Sequence, residues 1–232
     1  MKVCGTTNEE DALLAVAMGA DAIGFIFAPS LRQVSATLAA DIVKRLPPEI
    51  LTVGVFRDEL ATRVVEIANT AGLKAVQLHG HESPEHARWV RQRVRFLIQA
   101  FAAGSPALTH ARAYGADAVM IDAPSPGSGQ VFDWRLAEGA PDGTPLILAG
   151  GLQPHNVADA ISRVHPWGVD VATGVESAPG RKDPAKLRAF VAAAKAADSR
   201  PVPPPEITLS DDPLDELQRV ATPAPYDWQD DE

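Results

Sequence analysis

The chain has little that would suit an oxidising compartment or a membrane. Cys4 is the only cysteine among its 232 residues, so neither an internal disulfide nor a cysteine-rich metal site can form. The longest apolar stretches, such as residues 22–29 and 118–121, fall far short of the roughly 18 residues that a membrane-spanning helix needs. The N-terminus enters an amphipathic pattern without an apolar segment that ends in a small-residue cleavage site. We therefore expect a cytoplasmic protein with no transmembrane helix and no metal.

The chain also lacks an excess of basic residues. Its formal net charge is −9, and the residues from Arg200 onward contribute nine acidic and two basic side chains. This leaves a net charge of −2 for residues 1–199. Neither part offers the basic stripe that a phosphate backbone requires, which argues against nucleic acid and favours a small-molecule partner.

The acidic C-terminal segment is also rich in proline. Helix-breaking residues combined with self-repelling charge predict that residues 199–232 form a disordered or extended tail on a domain of residues 1–198. Leu214, Leu217 and Val220 fall on one helical face, so a short docking helix is possible within this tail.

Four similar segments indicate a tandem β/α array. Each places a glycine before a short apolar run, at Gly19, Gly72, Gly115 and Gly168. A glycine at a helix C-cap supplies the positive φ needed there, and the apolar run suits a strand that is buried on both faces. Further apolar runs lie between these segments. Eight strands are therefore predicted, and they begin near Lys2, Ala22, Leu51, Ala75, Phe96, Ala118, Pro145 and Gly168.

Helical patterns fit between the predicted strands. Asn8, Ser35 and Ser83 are candidate N-caps, and further helices are predicted over 105–114, 134–138, 156–164 and 183–197. Eight β/α units in about 195 residues suit a small closed (β/α)8 barrel, the TIM-barrel fold of the α/β class. An open doubly wound sheet is the alternative, but no G-x-G-x-x-G follows the first strand.

Active-site residues of such a barrel lie at the C-terminal ends of its strands. Cys4 follows the first strand and Asp122 ends the sixth. A buried thiol and a turn-capping aspartate are the ordinary alternatives. Strands one and six lie apart on the rim, so the two side chains can approach one bound molecule from opposite sides, one as acid and one as base.

Glycine-rich loops follow strands six, seven and eight. They contain Gly127 and Gly129, Gly150 and Gly151, and Thr173 and Gly174. Each could be simple turn chemistry, but loops after strands seven and eight commonly bind phosphate through backbone N–H groups. No G-x-x-x-x-G-K-[ST] is present, so a phosphorylated metabolite is predicted rather than a P-loop nucleotide.

Three polar side chains complete the predicted site. Arg32 follows the second strand, where its guanidinium could hold a substrate carboxylate; a solvated loop charge is the alternative. Gln77 and His79 alternate on the fourth strand and should both face the lumen, where a role in core hydrogen bonding is equally open.

Together these segments resemble phosphoribosylanthranilate isomerase of tryptophan biosynthesis over about residues 1–197. The matching segments include Lys2-Val-Cys-Gly-Thr-Thr7, Arg32 with Val34, Val76-Gln-Leu-His-Gly80, Gly127-Ser-Gly-Gln130, Leu148-Ala-Gly-Gly-Leu152 and Gly174-Val-Glu-Ser177. The sequence departs from the family pattern at Gln33, Arg57, Pro126 and the Ala172–Thr173 pair.

The resemblance implies a cofactor-free isomerisation of N-(5-phosphoribosyl)anthranilate by an Amadori rearrangement. Asp122 would protonate the furanose ring oxygen and Cys4 would remove the C2 proton. Arg32 would hold the anthranilate carboxylate, the glycine loops would hold the phosphate, and Asp170, Gln77 and His79 would border the sugar and ring. Two other functions stay open: another phosphosugar enzyme on the same barrel, and a catalytically idle binding or scaffolding module.

Overall fold

The computed structural model describes residues 1–123 and 143–197, and these form a closed barrel of eight parallel strands. Each strand pairs with the next along the chain, and β8 returns to β1, where Lys2 lies opposite Asp170. The fold class predicted from the sequence is therefore confirmed. The strands are β1 (Lys2–Val3), β2 (Ala22–Ile26), β3 (Leu51–Phe56), β4 (Ala75–Leu78), β5 (Leu97–Ala102), β6 (Ala118–Asp122), β7 (Leu146–Leu148) and β8 (Gly168–Val171).

Helices follow the strands and surround the barrel. They are α1 (Glu9–Met18), α2 (Ala36–Val43), α3 (Ala61–Ala71), α4 (Pro84–Arg91), α5 (Val157–Val164) and α6 (Pro184–Ala197). The Asn8, Ser35 and Ser83 side chains accept backbone N–H bonds in the first turns of α1, α2 and α4, as the sequence predicts. α3 begins after Leu60 without a side-chain cap, so the sequence carries no comparable start signal for it.

Two details differ from the sequence expectations. The segment Pro106–Tyr114 is a 3₁₀ helix interrupted at His110, where α-helix geometry is not kept. Gly19, Gly72 and Gly115 have the predicted positive φ, whereas Gly168 is already the first residue of β8. The left-handed residue that ends α5 is instead His165, at φ 49°. The helix predicted near residues 134–138 lies outside the described residues.

The strands separate two apolar layers. Alternate strand residues such as Val53, Ile98 and Met120 fill the lumen, while Ile23, Phe25 and Leu97 pack outward against the helices. Polar lumen residues are found toward the C-terminal ends of the strands, where the apolar filling stops. The barrel therefore has a polar C-terminal end, and apolar side chains fill the lumen below it.

A short antiparallel hairpin, β9 (Glu176–Ala178) and β10 (Arg181–Lys182), separates β8 from α6. Through it Glu176 and Lys182 reach the polar end of the barrel. Within residues 1–123 and 143–197, no helix is long and apolar enough to cross a membrane.

Candidate active site

Cys4 lies immediately after β1 with its side chain buried in the barrel. Its backbone N–H donates to the carbonyl of Val171 at 2.8 Å, which fixes the sulfur beside β8. Lys2 precedes it on the same face of β1 and donates to Asp170 at 2.9 Å, in a pair that is almost fully buried. Burial raises the pKa of the Cys4 thiol, and the charges of Lys2 and Lys182 act against that rise.

Gly24 leaves room for this arrangement on the neighbouring strand. A Cβ at that position would lie 2.8 Å from the Cys4 sulfur and 3.1 Å from the Lys2 ammonium nitrogen. Any side chain there would displace one of the two groups. The absence of a side chain at Gly24 is therefore part of the site's construction.

Asp122 ends β6 on the opposite side of the lumen. Its Oδ1 accepts the Ala123 N–H at 2.7 Å, and its Oδ2 lies 3.2 Å from Nε2 of His79. The other ring nitrogen of His79 lies 2.9 Å from the Gln77 amide nitrogen, which also contacts the Met120 sulfur. Since the amide nitrogen donates to Nδ1, the proton of a neutral ring lies on Nε2, which is close to the carboxylate but makes no hydrogen bond in this structure. Gln77 and His79 thus both face the lumen, as predicted.

Arg32 does not extend freely into the site. Its Nε and Nη2 form a two-point ion pair with the Glu176 carboxylate, at 2.8 and 2.6 Å, and hydrogen bonding to Glu176 raises the pKa of Arg32. The Nη1 group makes no hydrogen bond among the described residues. The Glu176 carboxylate also accepts a hydrogen bond from Lys182 at 3.2 Å. Burial alone would raise the pKa of Glu176, but its bonds to Arg32 and Lys182 hold that pKa below its usual value.

Lys182 connects this ion-pair network to the residue that follows β1. Its ammonium donates to the carbonyl of Cys4 at 2.6 Å, and its backbone N–H donates to Asp11 at 2.9 Å. The hairpin after β8 is therefore tied to the loop after β1 and to the start of α1. Burial dominates at Lys182 and lowers its pKa despite the neighbouring Glu176.

The glycine loops after β7 and β8 line a cavity beside Asp122 and Asp170. Gly150, Gly151 and Thr173 all contribute to its wall. Gly150 and Gly151 adopt positive φ, and a Cβ on Gly150 would meet the backbone of Ala123 and lie 2.9 Å from the Asp122 carboxylate.

Gly174, the other predicted glycine of the loops after β7 and β8, is not among the described residues that line this cavity. Gly174 packs against the backbone carbonyl of Leu152, where a side chain would collide, so it sets how closely the two loops approach. Asn156 fixes the β7 loop by accepting from the Gln153 N–H and donating to the Gly151 carbonyl. Gly127 and Gly129 lie outside the described residues.

Three residues of the site were not singled out from the sequence: Lys2, Glu176 and Lys182. Lys2 carried a usable signal, because it alternates with Cys4 on β1 and must share its side of the strand. Glu176 lies within the Gly174-Val-Glu-Ser177 segment of the resemblance, but no strand pattern places it or Lys182 in the site, since an irregular hairpin positions both. In the part of the chain that the structure describes, no group of three His, Cys, Asp or Glu residues could hold a metal ion.

Comparison with known proteins gives one family. The family model described as N-(5'phosphoribosyl)anthranilate (PRA) isomerase matches residues 1–193. The N-(5'-phosphoribosyl)anthranilate isomerase of Desulforudis audaxviator is 48% identical over 204 residues, covering 85% of this chain and 98% of that protein. The protein of the same name from Pelobacter propionicus is 45% identical and covers 86% and 97% of the two chains.

Solved structures agree with the sequence relatives. Phosphoribosyl anthranilate isomerase from Thermus thermophilus superimposes with a TM-score of 0.79 at 40% identity, covering 84% of this chain and 98% of that one. A second such isomerase, solved in complex with reduced 1-(o-carboxyphenylamino)-1-deoxyribulose 5-phosphate, gives a TM-score of 0.75 at 37% identity over 84% and 97%. The 3-hexulose-6-phosphate synthase of Salmonella typhimurium, at 13% identity and a TM-score of 0.66, shares the fold alone.

Proposed function

The chain belongs to the N-(5'-phosphoribosyl)anthranilate isomerase family, and we propose that Cys4 and Asp122 carry out its reaction as base and acid. The enzyme converts N-(5-phosphoribosyl)anthranilate to 1-(2-carboxyphenylamino)-1-deoxyribulose 5-phosphate in tryptophan biosynthesis. The observation that carries the proposal is the placement of the two groups at one end of the lumen, on β1 and β6. A sugar between them would meet one group on each side.

Asp122 acts first, as the general acid. Its proton passes to the furanose ring oxygen as the bond between that oxygen and C1 breaks, and the anthranilate nitrogen supplies the electron pair that forms the iminium. His79 contacts the Asp122 carboxylate at 3.2 Å. We assign His79, with Gln77 behind it, to holding this carboxyl in position rather than to binding the ring directly.

Cys4 acts second, as the general base. Its thiolate accepts the C2 proton, the C–H electrons form the C1=C2 bond, and the iminium nitrogen takes up the displaced pair. The resulting enolamine then loses its hydroxyl proton and gains a proton at C1 to give the ketone. Only protons move and no electrons leave the substrate, so the proposed route requires no cofactor.

Arg32 receives the anthranilate carboxylate through its remaining N–H groups. Its Nε and one Nη2 hydrogen are occupied by Glu176, which leaves the Nη1 edge available. The ion pair holds the guanidinium plane in one orientation before substrate arrives, so less rotamer entropy is lost on binding. Glu176 is thus a positioning residue for Arg32.

The phosphate is assigned to the loops after β7 and β8. Gly150, Gly151 and Thr173 line the cavity next to Asp122, and small residues allow an anion to approach backbone N–H groups closely. Gly174 supports these loops from behind, and Gly127 and Gly129 are proposed to complete the site. Asp170 lines the same cavity and is assigned to the sugar hydroxyls.

We place the enzyme in the cytoplasm, because a mechanism that uses the chain's only cysteine as a base requires a reduced thiol. The proposed partner is the phosphorylated substrate itself. The acidic chain, with a net charge of −9, offers no electrostatic basis for binding nucleic acid.

Turnover of freshly prepared phosphoribosylanthranilate tests the catalytic assignments. We expect Cys4→Ser and Asp122→Asn each to lower kcat by roughly 10² to 10⁴-fold with little change in KM, since acid and base act in separate steps and neither group can replace the other. Asp41→Asn, an exposed aspartate on α2, is the control and should retain wild-type turnover. Near-normal kcat in either site variant would remove that residue from the mechanism.

A further inference from the structure

Lys2 is a buried cation for which the isomerisation described above has no use. Its side chain is 4% exposed and lies in the barrel lumen, on the same face of β1 as Cys4. Burying an ammonium group is costly unless it is paired, and Asp170 on the adjacent strand supplies the pair at 2.9 Å. A methionine or leucine would fill the same space without that cost, so the charge itself calls for an explanation.

The ammonium and the sulfur occupy the same small space. A Cβ on Gly24 would lie 2.8 Å from the Cys4 sulfur and 3.1 Å from both the terminal carbon and the nitrogen of Lys2. The two groups therefore meet in front of Gly24, with no side chain from β2 between them. Asp170 keeps the Lys2 nitrogen at this point instead of letting it extend toward solvent.

Other charged groups also face the sulfur. Lys182 approaches from β10, but its ammonium is committed to the Cys4 carbonyl and to Glu176. Arg32 approaches from the loop after β2 and is paired with Glu176 as well. Asp170 opposes thiolate formation, and Lys2 contributes most to lowering the pKa of Cys4 against the effect of burial. The pKa of Lys2 is raised: burial alone would lower it, but Asp170 and Cys4 outweigh that effect, so Lys2 stays charged.

We propose that Lys2 is a positioning residue for the isomerisation, because its ammonium group, fixed by Asp170, stabilises Cys4 as the thiolate that faces the substrate. The inference rests on the proposed role of Cys4 as the base. Lys2 keeps its three protons throughout: the C2 proton goes to sulfur, and the ammonium only stabilises the negative charge present before that transfer. Asp170 then has two roles, since one oxygen holds Lys2 and the other remains for a sugar hydroxyl.

The thiol titration of the full chain tests this inference without substrate. Cys4 is the only cysteine, so the ultraviolet absorbance of the thiolate, corrected with Cys4→Ser, reports this one group. We expect Lys2→Met to raise the midpoint by about one pH unit or more, and Asp170→Asn to lower it. Lys2→Arg should keep the midpoint close to that of the wild type. Lys44→Met, at the exposed lysine that follows α2, is the matched control and should leave the midpoint unchanged.

The opposite shifts of the thiol midpoint in Lys2→Met and Asp170→Asn distinguish an electrostatic role of Lys2 from a structural one. Should Lys2→Met fail to fold because it leaves Asp170 unpaired, the double variant Lys2→Met with Asp170→Asn removes both charges, and its midpoint should still lie above that of the wild type. An unchanged or lowered midpoint in the folded double variant would overturn the inference.

Enzyme kinetics give the second readout. In the folded Lys2 variants, the acidic limb of the kcat/KM profile should move to higher pH by the same amount as the thiol midpoint, so that activity lost at neutral pH is recovered at alkaline pH. A uniform loss at every pH would contradict the inference. If instead Cys4→Ser turns over normally while the midpoint shifts as expected, the proposed role of Cys4 as the base is wrong and the electrostatic coupling stands.

Discussion

At the scale of single residues, Cys4 and Asp122, the proposed base and acid, lie in different surroundings. Burial works against Cys4 as a base, and cations at Lys2 and Lys182 partly compensate. Asp122 is held by a backbone N–H on one oxygen and faces His79 on the other. Each group is therefore defined as much by its neighbours as by its place at the end of a strand.

Arg32→Ala should chiefly raise KM, because it removes a charge-assisted contact to the anthranilate carboxylate worth roughly 1.5 to 3 kcal/mol. The measurement is KM and kcat for phosphoribosylanthranilate and for an analogue without the carboxylate. The variant should discriminate poorly between the two. If the analogue distinguishes wild type from variant as strongly as the full substrate does, Arg32 does not bind the carboxylate.

The sequence predicted individual site residues unevenly. The ends of regular strands can be located from apolar runs, and so Cys4, Asp122, Gln77 and His79 could be placed at the rim in advance. The partner of Arg32 could not, because Glu176 lies 144 positions away on an irregular hairpin. Long-range ion pairs of this kind depend on loop geometry that no local pattern encodes.

At the scale of elements, the loop after β7 lies directly against Asp122, so it sets the distance between the proposed phosphate site and the proposed general acid. Gly150 has φ 85°, and a side chain there would meet both the Ala123 backbone and the Asp122 carboxylate. Asn156 closes the same loop with two hydrogen bonds. The conformation of this loop therefore requires glycine at position 150.

Gly150→Ala should lower kcat and weaken phosphate binding while leaving the barrel folded. The collision displaces either the loop or the Asp122 carboxylate, and misplacement of about 1 Å is enough to cost on the order of 10²-fold. Gly143→Ala is the matched control: φ there is 78°, so the backbone strain is similar, but nothing lies within 4 Å of the added Cβ. Equal losses in the two variants would show that strain, and not the contact with Asp122, is responsible.

Elements with strong local signals were predicted closely. Eight strand starts agree within one residue, because each buried parallel strand is a short apolar run after a turn. The 3₁₀ form of Pro106–Tyr114 was not predicted, because the capping serine before it indicates the start of a helix without distinguishing a 3₁₀ helix from an α-helix. His165 replaced the expected glycine at the end of α5 for a similar reason: a non-glycine left-handed residue gives no pattern to read.

At the scale of the whole molecule, the barrel closes within the described part of the chain. β8 pairs with β1, and α6, which ends at Ala197, packs against α1 and α5. The family model ends at residue 193. The predicted tail of residues 199–232, including Leu214, Leu217 and Val220, lies outside the described residues.

Removal of residues 200–232 should leave the isomerase folded and active. The deleted segment is rich in proline and acidic residues, so it has little apolar surface to bury. Thermal midpoint, turnover and sedimentation of the truncated and full chains provide the comparison. A large drop in midpoint, or a change in oligomeric state, would show that the tail is part of the folded enzyme.

Kinetics with substrate deuterated at C2 distinguish the two proposed steps, in which Asp122 opens the ring and Cys4 takes the C2 proton. Cys4→Ser slows the step that breaks the C2–H bond, so this variant should show a clear isotope effect on kcat. Asp122→Asn slows ring opening, where that bond stays intact, so its isotope effect should fall to about one. A full effect in Asp122→Asn with none in Cys4→Ser would contradict the assignment of both residues.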